Sequence, residues 1–407
     1  MKKVKWSLIG PGIVLAAAGV GAGDVVSSAV SGASYGYSLL WALLIGALFK
    51  YFLNEGMARY QLATGRTFME GYSSRSRWFN YYFIVYLVIW SFIVGGALLS
   101  SVGLVTSAMF PIFPLEVWGI IAAIFGLVII RTGTYKIFEK IMKILAIMMF
   151  FAFVISAIVV KPPLLAVLKG LLVPALPQGR GWFDVIFKVL ALMGGVGGTV
   201  TIMAYSYWLR ECNIEDKKEL PTVRVDLLIG YIVTFVFSLS VVVVSAVLIH
   251  PIGGEIAGKE GIIDLARTLE SIMGPFGYWA FVLGFWAAVF SSVLSFYQAI
   301  PYLFNDAVRI VKQDENVEVG MQSKYYQGYV LYIFLAPLLL LFFREPIGLT
   351  LLYSVLGAFF MPFLALMLLL VGNSREMGDC KNTPAYNLVM ALIFIVMSIV
   401  SFYPLFR

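Results

Sequence analysis

The chain is poor in the residues that soluble chemistry leans on. It holds one histidine and two cysteines in 407 residues. That leaves no cluster with metal-ligand spacing and no disulfide framework. Cys212 and Cys380 fall in segments expected on the cytoplasmic side, so no bridge between them is expected. Charge is scarce too: 13% of residues are Asp, Glu, Lys or Arg, against about a quarter in soluble domains. The glycine-rich runs lack the strand and lysine that a phosphate loop requires. No nucleophile constellation is visible, so an enzyme is not expected. The run after Met1-Lys2-Lys3-Val4-Lys5 is too long for a cleaved leader and has no small-residue cleavage site.

What is abundant is hydrocarbon. Hydrophobic residues make up 61% of the chain, and its mean hydropathy is +0.93. These values predict an all-α, polytopic membrane protein, with 1–407 as one transmembrane domain in contact with lipid. A span needs about 20 apolar residues. Eleven candidates meet that length: 8–31, 38–62, 80–107, 115–131, 136–160, 183–211, 224–250, 276–303, 325–343, 347–371 and 385–405. With the N-terminus inside, nineteen Lys and Arg flank the inner ends and seven the outer ends. That bias places the chain in the cell membrane with its N-terminus cytoplasmic and its C-terminus outside. It also accounts for the net charge of +7 without nucleic acid. Residues 161–181, with Pro162, Pro163, Pro174 and Pro177, read as an outer capping loop. Residues 256–272 read as an amphipathic helix on the outer surface, and 312–324 as a polar inner connector.

Two spans carry the same fault. The first contains Gly19-Val20-Gly21-Ala22-Gly23-Asp24: three glycines and a carboxylate where a helix should run unbroken. The sixth contains Gly194-Gly195-Val196-Gly197-Gly198-Thr199-Val200-Thr201. One such run reads as close helix packing through small residues. Two, five spans apart, read as the paired discontinuous helices of a transporter built from inverted repeats. The repeats would cover about 8–160 and 183–371, with an extra helix at 385–405. Freed carbonyls and half-helix ends at the midplane can then coordinate a cation.

At this point the sequence resembles the natural resistance-associated macrophage protein (Nramp) family of divalent metal transporters. The resemblance rests on Gly10-Pro11, Gly32, Gly36-Tyr37, Leu39-Leu40-Trp41, Ala58-Arg59 and Ala63-Thr64-Gly65-Arg66. It continues through Tyr135-Lys136, Phe138-Glu139-Lys140, Lys143, Gly197-Gly198-Thr199-Val200, Arg224 and Asp226. It is clearest over about the first 230 residues. It implies a LeuT-type fold, with five helices inverted on five and an eleventh added, and a divalent cation as cargo. No resident cofactor is implied.

The departures reshape the site. The family's first-helix motif is Asp-Pro-Gly-Asn; those places hold Gly21, Ala22, Gly23 and Asp24. The sixth-helix motif is Met-Pro-His; those places hold Thr201, Ile202 and Met203. The family's tenth-helix glutamine falls on Ser354. The third span has no acid and the ninth no arginine, so a histidine-based proton path is not visible. His250, at the end of the seventh span, reads as a capping or interfacial residue.

What remains is hard oxygen chemistry: the Asp24 carboxylate, hydroxyls from Thr201 and from Ser27 or Ser354, and carbonyls near Gly21 and Thr199. These suit Mg²⁺, Ca²⁺ or Mn²⁺, with Mg²⁺ or Mn²⁺ the expected cargo, and the pattern resembles the Nramp-related branch that lacks the soft ligand and moves Mg²⁺. A single carboxylate equally suits an organic cation or an amino-acid carrier, Na⁺-coupled or not. Gly19, Gly23, Gly197 and Gly198 are the expected helix breaks. Glu139, Asp184 and Lys188 are candidate gate or pathway residues. Asp184 with Lys188, and Glu55 with Arg59, are spaced to pair on one helix face. Lys50 is expected to snorkel. Gln298, Asn305 and Asp306 are expected to line an inner vestibule or a solvated helix end.

Overall fold

A computed structural model describes residues 10–177, 181–254, 256, 261–313, 319–343 and 345–402. Of the charges that set the expected orientation, Lys2, Lys3, Lys5, Arg180, Lys259, Arg344 and Arg407 lie outside the described residues. So do residues 8–9 of the first expected span, 403–405 of the last, and parts of 256–272 and 312–324.

The described residues form helices and no strands. In chain order they are α1 (Pro11–Gly19), α2 (Ala22–Tyr35), α3 (Leu40–Thr64), α4 (Phe68–Ser73), α5 (Trp78–Met109), α6 (Leu115–Thr132), α7 (Tyr135–Val159) and α8 (Leu164–Leu172). There follow α9 (Trp182–Gly195), α10 (Tyr205–Glu211), α11 (Leu220–Leu248), α12 (Gly261–Met273), α13 (Pro275–Lys312), α14 (Lys324–Leu335), α15 (Pro346–Gly372) and α16 (Pro384–Phe402). Among the described residues nine helical stretches are long and apolar enough to cross a membrane, and α1 with α2, bent by 54°, makes a tenth. The expected second span is α3, 25 residues and about 38 Å long. It holds Lys50, Glu55 and Arg59, all buried inside the protein, which spares lipid the charges.

The apolar sequence serves two solvents. Side chains of α11, α13 and α15 fill the centre, with Phe237, Phe281, Phe285 and Leu364 fully buried. On α6, α7 and α16 the large apolar side chains point outward: Ile124, Phe125, Ile147, Phe151, Leu388 and Ile399 are exposed. Such a belt is costly in water and ordinary in lipid.

Local chemistry sets the ends. Pro11 opens α1, where a missing N–H costs nothing. Gly65, with φ of 72°, closes α3 by donating its N–H to the Gln61 carbonyl at 2.7 Å. Thr67 and Glu70 exchange hydrogen bonds in a capping box that starts α4.

Three expectations need correction. The proline-rich segment 161–181 contains a helix, α8, which seats Gly170 against the Tyr37 backbone. The amphipathic stretch forms α12, whose Ile262, Ile263, Leu265, Ala266 and Leu269 are buried. Gln298, Asn305 and Asp306 are buried as well. Trp208 donates to Gln298 at 2.7 Å and Tyr207 to Asp306 at 2.6 Å. The polar end of α13 is therefore satisfied by α10, which single-helix spacing could not show.

Candidate functional site

The two glycine faults meet. α1 ends at Gly19 and α2 begins at Ala22, so Val20 and Gly21 form the first break. α9 ends at Gly195, and a short 3-10 turn, Val200–Ala204, leads into α10. Between them Gly197 and Gly198 take φ of 69° and 79°, a left-handed conformation that glycine adopts at little cost. A Cβ on Gly19 would lie 2.5 Å from the Gly197 carbonyl carbon. The glycines thus let the two broken backbones touch.

Several of the freed backbone groups find side-chain partners. Ser291 and Ser292 on α13 donate to the Ala17 and Ala18 carbonyls at 2.8 and 3.2 Å. Asp24, in the first turn of α2, is 1% exposed. Its carboxylate accepts from Ser238 at 2.8 Å, from the Gly197 N–H at 3.3 Å and from its own Gly21 N–H at 3.4 Å. An acid at a helix N-terminus is electrostatically favoured. Lys50, from α3, reaches the other side of the second break. Its ammonium donates to the Gly194 and Val196 carbonyls at 2.6 Å each, and to the Gly198 carbonyl. It does not snorkel; it is fully buried. The carbonyls beside Thr199, expected to face a passing cation, are committed to this lysine.

A cavity of about 30 Å³ lies beside the breaks, room for one water-sized guest. Gly19, Gly198, Thr199, Thr201, Ser292 and Tyr353 line it, with Trp90, Val94, Leu98 and Phe296 as an apolar wall. The Trp90 indole N–H has no hydrogen-bond partner among the described residues. Asp24 is not among the lining residues. Ser27, whose hydroxyl also lacks a partner among the described residues, packs on Gly195. Ser354 packs on Gly23 and donates to the Thr350 carbonyl at 2.9 Å. Met203 is buried in the 3-10 turn and is not among the cavity's lining residues. Of the expected site residues, Thr199, Thr201, Gly19 and Gly198 reach the cavity; Asp24, Gly21 and Gly197 sit at the break; Ser27, Ser354, Gly23 and Met203 form the surroundings.

The pathway candidates lie apart from it. Asp184 and Lys188 pair at 3.5 Å, and Tyr35 donates to Asp184. The His250 Nδ1–H donates to the Ala33 carbonyl at 3.0 Å, the capping role expected of it. Glu139 and Lys143 pair at 2.6 Å beside Gly10. There Asp226 accepts from the Gly10 and Gly12 N–H groups at 3.0 and 2.6 Å and from Tyr205 at 2.8 Å. Glu55 joins Arg59 at 3.2 Å and Arg224 at 2.8 Å. Outside the spans, Glu70 binds Arg309 at 2.6 Å. Burial pushes its carboxyl up, but the Arg309 guanidinium and the Thr67 N–H outweigh burial and hold it below the ordinary range.

The partners Ser238, Ser291, Ser292 and Trp90 gave no signal in the sequence. Lys50 left one: its helical neighbours at three and four residues include Gly46, Ala47, Leu53 and Asn54, and no acid. A buried lysine without a local partner needs a distant one.

Two helices broken at facing points, in a bundle girdled by apolar side chains, define a membrane protein of the LeuT-type fold. The Eremococcus coleocola manganese transporter, solved with an aromatic bis-isothiourea compound, superposes with a TM-score of 0.72 at 16% identity, over 97% of this chain and 85% of that one. MhsT, solved in complex with L-phenylalanine, gives 0.62 at 15%, over 96% and 97%. The family described as natural resistance-associated macrophage protein-like matches residues 12–407, and the chain belongs to it. A divalent metal cation transporter, MntH of Mycobacterium tuberculosis, is 28% identical over 230 residues, 54% of this chain and 50% of that protein. The match thus spans about half the length of that relative.

Proposed function

We propose that the chain is a secondary transporter or facilitator of divalent metal cations, working by alternating access about the two breaks and not as an enzyme. The observation that carries this reading is the junction itself. A buried carboxylate, Asp24, bridges the first break to the second through the Gly197 N–H, and Thr199 and Thr201, just past that second break, line a cavity. The names of the relatives, manganese and divalent metal transporters, point to the same cargo. Hard oxygens without a thioether at Thr201 suit Mn²⁺ or Mg²⁺. Met203 stands where the family has histidine, so transport proceeds without a proton relay at that point. The N-terminus is cytoplasmic, the C-terminus outside, and the repeats run 8–160 and 183–371 in this reading.

The test is Mn²⁺ and Mg²⁺ uptake into proteoliposomes. Asp24→Ala should lose uptake by at least about tenfold per folded molecule, in line with loss of the charged ligand, with the folded fraction measured alongside because the variant is also destabilised; normal uptake by that variant overturns the site. One observation favours a second reading, an organic cation or amino-acid carrier: Trp90, Val94, Leu98 and Phe296 give the cavity an apolar wall. Calorimetry with Mg²⁺, Mn²⁺ and Ca²⁺ separates the two, because absence of heat with every metal favours the organic solute.

A further inference from the structure

Three of the carbonyls freed where α9 ends share one partner. Gly194, Val196 and Gly198 converge on one atom, the Lys50 Nζ. A lysine ammonium has three N–H donors and no acceptor. Three carbonyl partners use all three, so the group is held as a cation. Lys50 is fully buried. Its counter-charge is one peptide away: the Val196 carbonyl accepts from Lys50 while the N–H of the same peptide, on Gly197, donates to Asp24. The arrangement has the parts of a site for a small monovalent cation: converging carbonyls at a helix C-terminus and a nearby carboxylate.

We propose that Lys50 is a built-in cation, filling a carbonyl cage that would otherwise take Na⁺ or a small ammonium ion, so the chain folds and works without such an ion. The cage is centred on Lys50 and shares Asp24 and Gly198 with the proposed cargo site. It rests only on the junction geometry, and its test reads stability, so its failure and that of the metal reading are distinguishable.

A merely structural lysine cap predicts loss of stability on removal and no more. The cage predicts that a free ion can replace it. The experiment is thermal unfolding of the purified full chain in N-methyl-D-glucamine, Na⁺, K⁺ and methylammonium chlorides at equal ionic strength. The wild type should unfold at one temperature in all four. Lys50→Ala should unfold lower in N-methyl-D-glucamine and recover by several degrees, saturably, in Na⁺ or methylammonium. Lys50→Thr leaves a similar space and adds a hydroxyl oxygen, so it should recover at lower salt. Lys50→Met fills the space with an uncharged stem and should not recover. The proposal is overturned if Lys50→Ala and Lys50→Thr are indifferent to the salt, if both stay unfolded in every salt, or if the wild type itself gains stability from Na⁺.

Discussion

The break between α1 and α2 and the break after α9 are made with the same residue and closed by opposite chemistry. At the first, the freed carbonyls of Ala17 and Ala18 meet neutral serine hydroxyls, and the N–H of Gly21 meets a carboxylate. At the second, three carbonyls meet one ammonium. A hydroxyl can be exchanged for water or an ion at little cost, because the group that replaces it is no worse a partner. A buried ammonium cannot leave without stranding its charge. The first break is thus suited to opening and the second to staying shut. Asp24 belongs to both, and its charge is already answered before any cargo arrives.

The largest expected effect comes from unbalancing that shared charge. Asp24→Asn should cost about 3–5 kcal/mol of stability, because it leaves Lys50 as an uncompensated buried charge. The double variant Asp24→Asn with Lys50→Met should be less damaged than the two single losses added together. Unfolding of all three variants measures the coupling; simple additivity would mean the two breaks are electrically independent.

A smaller effect should come from the backbone of the second break. Gly198→Ala places a side chain at φ of 79° and 2.5 Å from the Thr201 hydroxyl. A loss of about 1–3 kcal/mol is expected, read in the unfolding midpoint. An unchanged midpoint would mean that the second break bends as freely as the first.

The smallest effect lies away from both breaks and serves as their control. Glu70 is held below the ordinary carboxylate range in the folded chain. Its contribution is present above the unfolded value and fades as pH falls through the folded one. Glu70→Gln should therefore match the wild type's pH profile near neutrality and lose less stability than it does on acidification. A Glu70→Gln profile that parallels the wild type into acid would remove Glu70 from the acid-sensitive groups.

How much of this could be read from sequence follows from reach along the chain. The breaks were legible because glycine acts on its own residue. The pairs Glu55 with Arg59 and Asp184 with Lys188 were legible because helical spacing fixes them within one turn. The role of Lys50 was not, since its carbonyls lie 144 to 148 residues away. Nor was the polar end of α13, which looked solvent-facing until Tyr207 and Trp208 arrived from α10. Thr201 and Thr199, expected as cation ligands, line the cavity, whereas Asp24, expected with them, is not among the lining residues, and a one-dimensional count has no means to separate the two.

α1 has nine residues, about 14 Å from its pinned end to the first break. A swing of about 20° there carries Gly10 and Gly12 some ~5 Å, beyond any hydrogen bond. Every such swing must first detach both amides from Asp226. Bonds to a charged acceptor are worth about 1.5–3 kcal/mol each, so the detached form is held to about one molecule in 10² to 10⁴. Asp226→Asn should raise that fraction, visible as a longer spin-label distance between α1 and α11; an unchanged distance distribution would remove the pin from the account. In the proposed transport cycle, the same carboxylate would act as an escapement, with the share of released arms set by the protein's own hydrogen bonds.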